Sequence, residues 1–292
     1  MSHFNTSFGK TCVGVSFKPR YFADIWLDSA AIDFFEVHAE NYMGLGGLYH
    51  EQLRELTGAY PLSVHGVGLS LGGTDPIDVM HLKRLKQLCN IYHPVSLSEH
   101  LAWSVHDGIF LNDLMPMVYD ESSLTRVISR IDQVQDYLGC RLLIENPARY
   151  IKFTNHSVDE AHFLKQIAER TGCGLLLDIT NLYVSAFNLG FDPMQYLKDF
   201  PLQGIEEIHL AGHSKNRLAD GGWLFLDDHG SQVSEEVWLL FQKVVDSIGA
   251  KPTLIEWDNN LPTWQSLCLE ANKAREILAD SAVLMLSQGE YL

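Results

Sequence analysis

The run IEEIHLAGH (205–213) sets two histidines, His209 and His213, four residues apart at the end of a short apolar segment. On a helix that spacing would place both imidazoles on one face, the geometry of many zinc proteases. The run also holds Ile205 and Ile208 and carries Gly212, and glycine is unfavourable inside a helix. It therefore reads as a strand, with His209 and His213 at and just beyond its end. Four is an even number, so both side chains can still project to one side of that strand.

Seven further runs share its character: TCVGVSF (11–17), FFEVHAEN (34–41), PLSVHGV (61–67), PVSLSEHLAW (94–103), RLLIENP (141–147), CGLLLDITN (173–181) and PTLIEWD (252–258). Amphipathic stretches lie between them, at 75–92, 123–139, 157–172 and 234–249. Gly139 and Gly172 close two of these as helix C-caps, and Ser234 opens another as an N-cap. Strands alternating with helices mean βαβ units and a parallel sheet. Eight units in 292 residues fit a (β/α)8 TIM barrel, with a doubly wound open sheet as the alternative. The expected organisation is a single domain over 1–280 and a C-terminal tail over 281–292.

The chain carries 21 basic and 37 acidic residues, a net charge of −16, and 46% of it is hydrophobic. That supports a sizeable core and disfavours nucleic-acid binding through a broad basic face. Cys12, Cys89, Cys140, Cys173 and Cys268 are odd in number, scattered and never in a CxxC pair. Such usage argues against a disulfide framework or a cysteine zinc site and for a reducing compartment. The opening residues lack an apolar signal-peptide core, and no stretch reaches the ~18 apolar residues of a membrane helix. A cytoplasmic location without membrane contact is expected.

Each run from the third onward carries a metal-capable residue near its C-terminal end: His65, His100, Glu145, Asp178, His209 with His213, and Glu256. In a barrel, catalytic residues come from those ends. Parity supports an inward site, because His65 shares a face with Ser63, His100 with Ser98 and Ser96, and Glu145 with Leu143. Such carboxylates and histidines gathered at one mouth would repel or desolvate one another without cations, and this donor set suits iron, manganese or zinc. The alternative is that each residue caps a strand or bonds a loop. Asn181 follows Asp178 by three residues, and the loop pair Asp227 and His229 can chelate one ion from a single turn. In FFEVHAEN, Glu36, His38 and Glu40 share one parity, which suggests supporting or substrate-binding roles or a buried salt-bridge network.

Taken in order, VHG, SEH, IENP, LDITN, IHLAGH, DDHG and IEWD, with VHAENYMG at 37–44, resemble the multinuclear non-haem iron-dependent oxidative enzymes. That family includes the oxygenase of methanobactin biosynthesis. The resemblance covers nearly the whole chain. It implies a xylose-isomerase-like TIM barrel, two or three iron ions, and oxygen-dependent modification of a cysteine-containing precursor peptide with a peptide-recruiting partner protein. By analogy with the related endonuclease-IV-type barrels, His65, His100 and Glu145 would form one site and carry the catalysis. Glu145 would bridge to a second site made with Asp178, His209 and Glu256. Asn181, Asp227 and His229, joined by His213, would complete a third. The nuclease pattern has a histidine where this chain has Asn181, which thins the third site and separates the chain from the nucleases. His38, Glu40 and Asn41, in the glycine-bearing loop 38–47, would meet the peptide. Rival readings are a divalent-metal sugar isomerase or epimerase, a zinc phosphodiesterase, and a non-catalytic metal-binding protein.

Overall fold

The period-two runs become strands of four residues or so, because β-branched and apolar side chains on alternate positions pack both sides of a pleated ribbon. The computed structural model describes residues 8–28, 32–154 and 156–289. Its barrel strands are β1 (Val13–Ser16), β2 (Phe34–His38), β3 (Leu62–Gly66), β4 (Ser96–His100), β5 (Leu143–Glu145), β6 (Gly174–Asp178), β7 (Ile205–Ala211) and β8 (Thr253–Glu256). One falls in each expected run. They pair in parallel in chain order, and β8 pairs with β1 to close the barrel. The open sheet is excluded.

The helices are α1 (Phe22–Leu27), α2 (Leu48–Thr57), α3 (Val79–Tyr92), α4 (Glu121–Leu138), α5 (Glu160–Thr171), α6 (Ile179–Leu189), α7 (Pro193–Asp199), α8 (Glu235–Ile248) and α9 (Trp264–Gly289). Local chemistry sets their ends. The Asp120 carboxylate accepts from the Ser123 amide while the Ser123 hydroxyl accepts from the Asp120 amide, a capping box for α4. Ser234 caps α8 through the Val237 amide. Gly139 and Gly172 end α4 and α5 at φ +68°, as their positions in the sequence suggest.

Parity separates two apolar regions. Leu142, Ile144, Leu175 and Leu177 face the helices and join Leu124, Val127, Ile131, Phe163 and Ile167 in one large cluster. Burial of each such side chain contributes about 1.5–3 kcal/mol. Phe34, Leu143, Leu176 and Leu254 are equally buried yet lie outside that cluster and plug the barrel's interior. Above this plug the inward positions turn polar. The Ser63 hydroxyl donates to Glu36, and the Ser96 hydroxyl to Glu207.

Two β-hairpins escaped the sequence reading: Trp103–His106 with Ile109–Met115, and Ser214–Arg217 with Trp223–Leu226. Each follows a barrel strand and walls the mouth. The loop at 38–47 is shorter than the sequence implied, because a 3-10 turn takes Ala39–Tyr42. Residues 281–289 continue α9 without a break, and the Ser281 hydroxyl donates to the Val245 carbonyl of α8. Residues 290–292 of the expected tail lie outside the described residues. Among the described residues no helix is long and apolar enough to cross a membrane, and the five cysteines are unpaired.

Gly14 exists for space: a Cβ there would lie 2.5 Å from the Phe34 ring. Gly14→Ala should overpack the plug and destabilise the fold by about 1–3 kcal/mol. Gly44→Ala, whose Cβ would meet nothing within 4 Å, should leave stability unchanged. Denaturant unfolding followed by circular dichroism distinguishes them, and equal midpoints would refute the packing argument.

Candidate metal centre

Strand register brings the polar residues level. His100 stands opposite Glu145, Asp178 opposite His209, and His65 opposite Ser98. Because adjacent strands are about 4.8 Å apart, side chains at paired inward positions meet. All of them are nearly inaccessible: His65, Glu145, Asp178, His209 and Glu256 are at most 2% exposed.

The first cluster is a tight triangle. His65 Nε2 and His100 Nε2 each lie 3.2 Å from Glu145 Oε2 and 3.4 Å from each other. An ion holding ligands at about 2.0–2.1 Å in a tetrahedral arrangement spaces them about 3.3–3.4 Å apart. Orientation is set behind the rings. His100 Nδ1 donates to the Gly66 carbonyl at 3.2 Å, which leaves Nε2 as a bare lone pair. His65 Nδ1 is 2.6 Å from the Ser98 hydroxyl. Such outer partners fix tautomer and ring angle in metal sites.

Glu145 also belongs to a second cluster with Asp178 and His209, while Asp178, Glu256 and His229 make a third. Glu145 therefore stands between two clusters, and Asp178 between two. His209 Nδ1 lies 3.4 Å from Glu256, and His229 Nδ1 lies 3.6 Å from the same oxygen. Asp227 sits 2.9 Å from His229 Nε2. Glu145 Oε2, Asp178 Oδ2, Asn181 Oδ1 and both nitrogens of His209 are buried without a hydrogen-bond partner in the protein. Unmet buried polar atoms cost roughly 1–3 kcal/mol each. That so many converge fits cations held among them.

The loop residues are placed by backbone. Asp178 is both strand end and N-cap of α6, accepting from the Asn181 amide at 2.6 Å. With no loop between strand and helix, Asn181 is turned inward and its amide donates to Glu145 Oε1 at 3.1 Å. His229 has φ +48°, uncommon for a non-glycine residue. It is held there by its amide donating to the Gly212 carbonyl and by its carbonyl accepting from Asp258 and Asn259. Gly212 is required, since a Cβ there would lie 2.0 Å from the Ser231 carbonyl oxygen.

Three expected site residues take other positions. His213 belongs to none of the clusters and packs between Tyr183 and Phe225, ring centroids 5.3 and 5.2 Å away. Glu40 accepts from the Val67 amide and pairs with His81 at 3.2 Å, so it pins the loop after β3. Asn41 is exposed. His38 does stay at the mouth, 3.6 Å from Asp258. Glu36 proves more central than the sequence reading made it, for it shares a cluster with His209 and Glu256. Two residues were missed: Asp258, 3.5 Å from His229, and Lys18, 2.6 Å from Asp258. Continuing the inward parity of β8 and β1 by one step would have found both.

Burial dominates the electrostatics. It pushes Asp178 up to about 8, helped by Asp227 and Glu256, and Glu36 up to about 7 despite His209. Glu145 is raised well above the carboxylate range for the same reason, with Asp178 and Glu256 adding to it. Burial pushes His65 well below its usual range and His100 down to about 4. Against burial, Glu36 and Glu256 hold His209 protonated, and Asp227 and Glu256 do so for His229. Those two imidazoliums in turn bring Glu256 down to about 2. The metal-free cluster thus stores protons that a cation would displace.

Residues 12–279 match the family described as RiPP precursor modification enzyme MbnB/TglH/ChrH. Among curated relatives, a UPF0276 protein of Paraburkholderia phytofirmans is 46% identical over 276 residues, covering 94% of this chain and 90% of its own. A UPF0276 protein of Bordetella bronchiseptica is 48% identical over 271 residues, 93% and 94% of the two chains. The fold is similar to a xylose isomerase-like TIM barrel protein from Mycobacterium smegmatis, solved with magnesium (TM-score 0.59, 12% identity, 96% and 99% coverage). It is similar also to endonuclease IV from Thermus thermophilus (TM-score 0.58, 15% identity, 92% and 99% coverage).

The stored protons give a pH signature. Between about pH 6.5 and 8 the folded, metal-free protein keeps protons on Asp178, His209 and His229 that the unfolded chain releases. A raised folded pKa means stability lost as pH rises, by about 1.4 kcal/mol per pH unit for each such proton. The lowered imidazoles of His65 and His100 partly oppose this up to about pH 7.5, where the unfolded chain has shed their protons, and Glu256 has completed its contribution below the window. The melting temperature of metal-free protein should therefore fall from pH 6.5 to 8, less steeply in Asp178→Asn, and hardly at all with saturating divalent ion. A flat profile for metal-free protein would contradict the assignment.

Proposed function

Because the chain belongs to the family of RiPP precursor modification enzymes of the MbnB, TglH and ChrH kind, we propose that it oxidatively modifies cysteine residues of a ribosomally made precursor peptide, using O2, two or three iron ions and a peptide-recruiting partner protein. The observation that carries the metal part of this reading is the bridging position of Glu145. Its carboxylate is shared by the His65–His100 triangle and the Asp178–His209 cluster, at a barrel mouth where catalytic residues gather. The mixed imidazole and carboxylate donors fit iron, with zinc or manganese as the other ions the set accommodates. Bound iron would supply the one-electron and oxygen chemistry that no side chain here can perform.

The protein's own residues hold, orient and enclose. His65, His100 and Glu145 would hold one ion. Asp178, His209 and Glu256, with Glu145 bridging, would hold the next. Asp227 and His229, beside Asn181, would complete a third. Ser98 and the Gly66 carbonyl keep the first pair of imidazoles aimed. His38 and Asn41 would meet the incoming peptide at the rim. Asp258, tied to Lys18 on one side and facing His229 on the other, fixes the charge at the mouth. The closed wall of strands keeps bulk water to one entrance, so a peptide lying across that entrance would shield the centre.

The test is anaerobic purification, loading with Fe(II) and metal analysis, followed by oxygen uptake and peptide mass measurement with cysteine-bearing peptides encoded beside the gene. At least two ions per chain are expected. Glu145→Gln should reduce binding at two sites together, while His229→Ala should affect only the third. At most one ion at saturation would overturn the multinuclear reading. Turnover of a free sugar or of an abasic DNA strand, with no peptide changed in mass, would move the protein to a rival class.

A further inference from the structure

On the mouth side, between the β5–α5 connection and the turn joining α6 to α7, lies a cavity of about 360 Å³ that none of the metal-cluster residues line. Its back is a fixed guanidinium. Arg149 Nε lies 3.0 Å from Glu160 Oε2, and Glu160 also accepts from the Tyr119 hydroxyl at 2.6 Å and the Tyr196 hydroxyl at 2.8 Å. The guanidinium carbon sits 6.0 Å from the Tyr119 ring centroid and 5.5 Å from that of Phe191. This frame holds one edge of the fork. The terminal nitrogens Nη1 and Nη2 donate to no acceptor among the described residues. His156 adds a donor, because its Nδ1 accepts from the Tyr119 amide at 2.9 Å and so Nε2 carries the hydrogen.

A rigid two-nitrogen fork is matched by a carboxylate or phosphate. The rim decides between them. Asp159, Asp192 and Asp199 border the cavity together with Lys152; with Glu160 the acids outnumber Arg149 and Lys152, which opposes a doubly charged phosphate or a nucleic-acid backbone more than a single carboxylate on an uncharged body. Half-buried Phe191 offers such a body an apolar contact, and the volume suits a small group. Arg149 follows Glu145 by only four residues, at most about 14 Å of chain, and the Tyr150 hydroxyl accepts from the Asp227 amide. The cavity is thus tethered to the metal centre.

We propose that this cavity binds a carboxylate of the precursor peptide, an Asp or Glu side chain or the C-terminus, roughly four to six residues from the cysteine held at the metal centre. The inference rests on the peptide-substrate reading above and adds an anchor that sets which cysteine is presented.

Calorimetric titration of the full-length protein with N-acetylphenylalanine and with its amide tests it. The acid should bind saturably and the amide at least tenfold more weakly. Arg149→Gln should weaken the acid at least tenfold. Since that variant leaves Glu160 without its cation, Leu189→Trp serves as the second, filling the cavity from its rim while leaving the ion pair and the melting temperature intact. The cysteine-bearing peptide is then titrated with each Asp or Glu replaced by Asn or Gln, and with its C-terminus amidated. One replacement should cost at least tenfold in affinity, which identifies the carboxylate. Equal binding of acid and amide, no saturable binding of either, or indifference of the peptide to every replacement would overturn the inference. A peptide that binds through its carboxylate yet never changes mass with Fe(II) and oxygen would uphold the cavity and sink the oxidative reading.

Discussion

The Glu145 carboxylate, 3.2 Å from two imidazole nitrogens and 1% exposed, imposes the constraint on which the centre is organised. An anion in a closed barrel must be neutralised by protons or by metal. Around it stand Asp178, Glu36 and Glu256, all buried: the first two are pushed up toward their protonated forms, while the imidazoliums of His209 and His229 hold Glu256 ionised. The alternatives are a proton-loaded cluster or a cation-loaded one, and the same side chains serve both. That choice links stability to pH and to metal, and it explains why so many polar atoms face one another without hydrogen bonds.

The scaffold makes this arrangement tolerable. An apolar plug of Phe34, Leu143, Leu176 and Leu254 closes the barrel below, so the polar layer opens only toward the mouth. The hydroxyls of Ser63 and Ser96 each donate to one of the crowded acids, and the Ser98 hydroxyl pairs with the His65 ring. At the centre itself the left-handed backbone of His229 is held by three hydrogen bonds. Outside the wall, helices α4 and α5 cover the strands with aliphatic side chains. Function and stability thus use opposite faces of the same strands, separated by side-chain parity.

Much of this was legible in the chain because strands encode their faces locally. The alternation in RLLIENP and PLSVHGV assigns Glu145 and His65 to the inside before any neighbour is known. The glycines after α4 and α5 mark helix ends by their own conformational freedom. Less legible were the hairpins at 103–115 and 214–226, whose residues have mixed polarity and no clear period. His213 was drawn into the site by its spacing from His209, but the bend at Gly212 turns it into the aromatic stack with Tyr183 and Phe225. Glu40 shares parity with Glu36 and His38, yet the strand ends at His38 and a 3-10 turn begins, so parity no longer applies to it.

The sequence by itself determined the eight strands and the series of acids and imidazoles on their inward faces, since these depend on periodicities of two and 3.6 residues. Only the tertiary structure decided which inward residues touch. Strand register set His100 beside Glu145 and Asp178 beside His209, and the pairing of β8 with β7 brought Glu256 to His209. The pairing of Lys18 with Asp258, and the Arg149 cavity, join segments far apart in the chain. Contacts of that kind follow from the closed geometry of the sheet and the crossings of the loops, which no local pattern records.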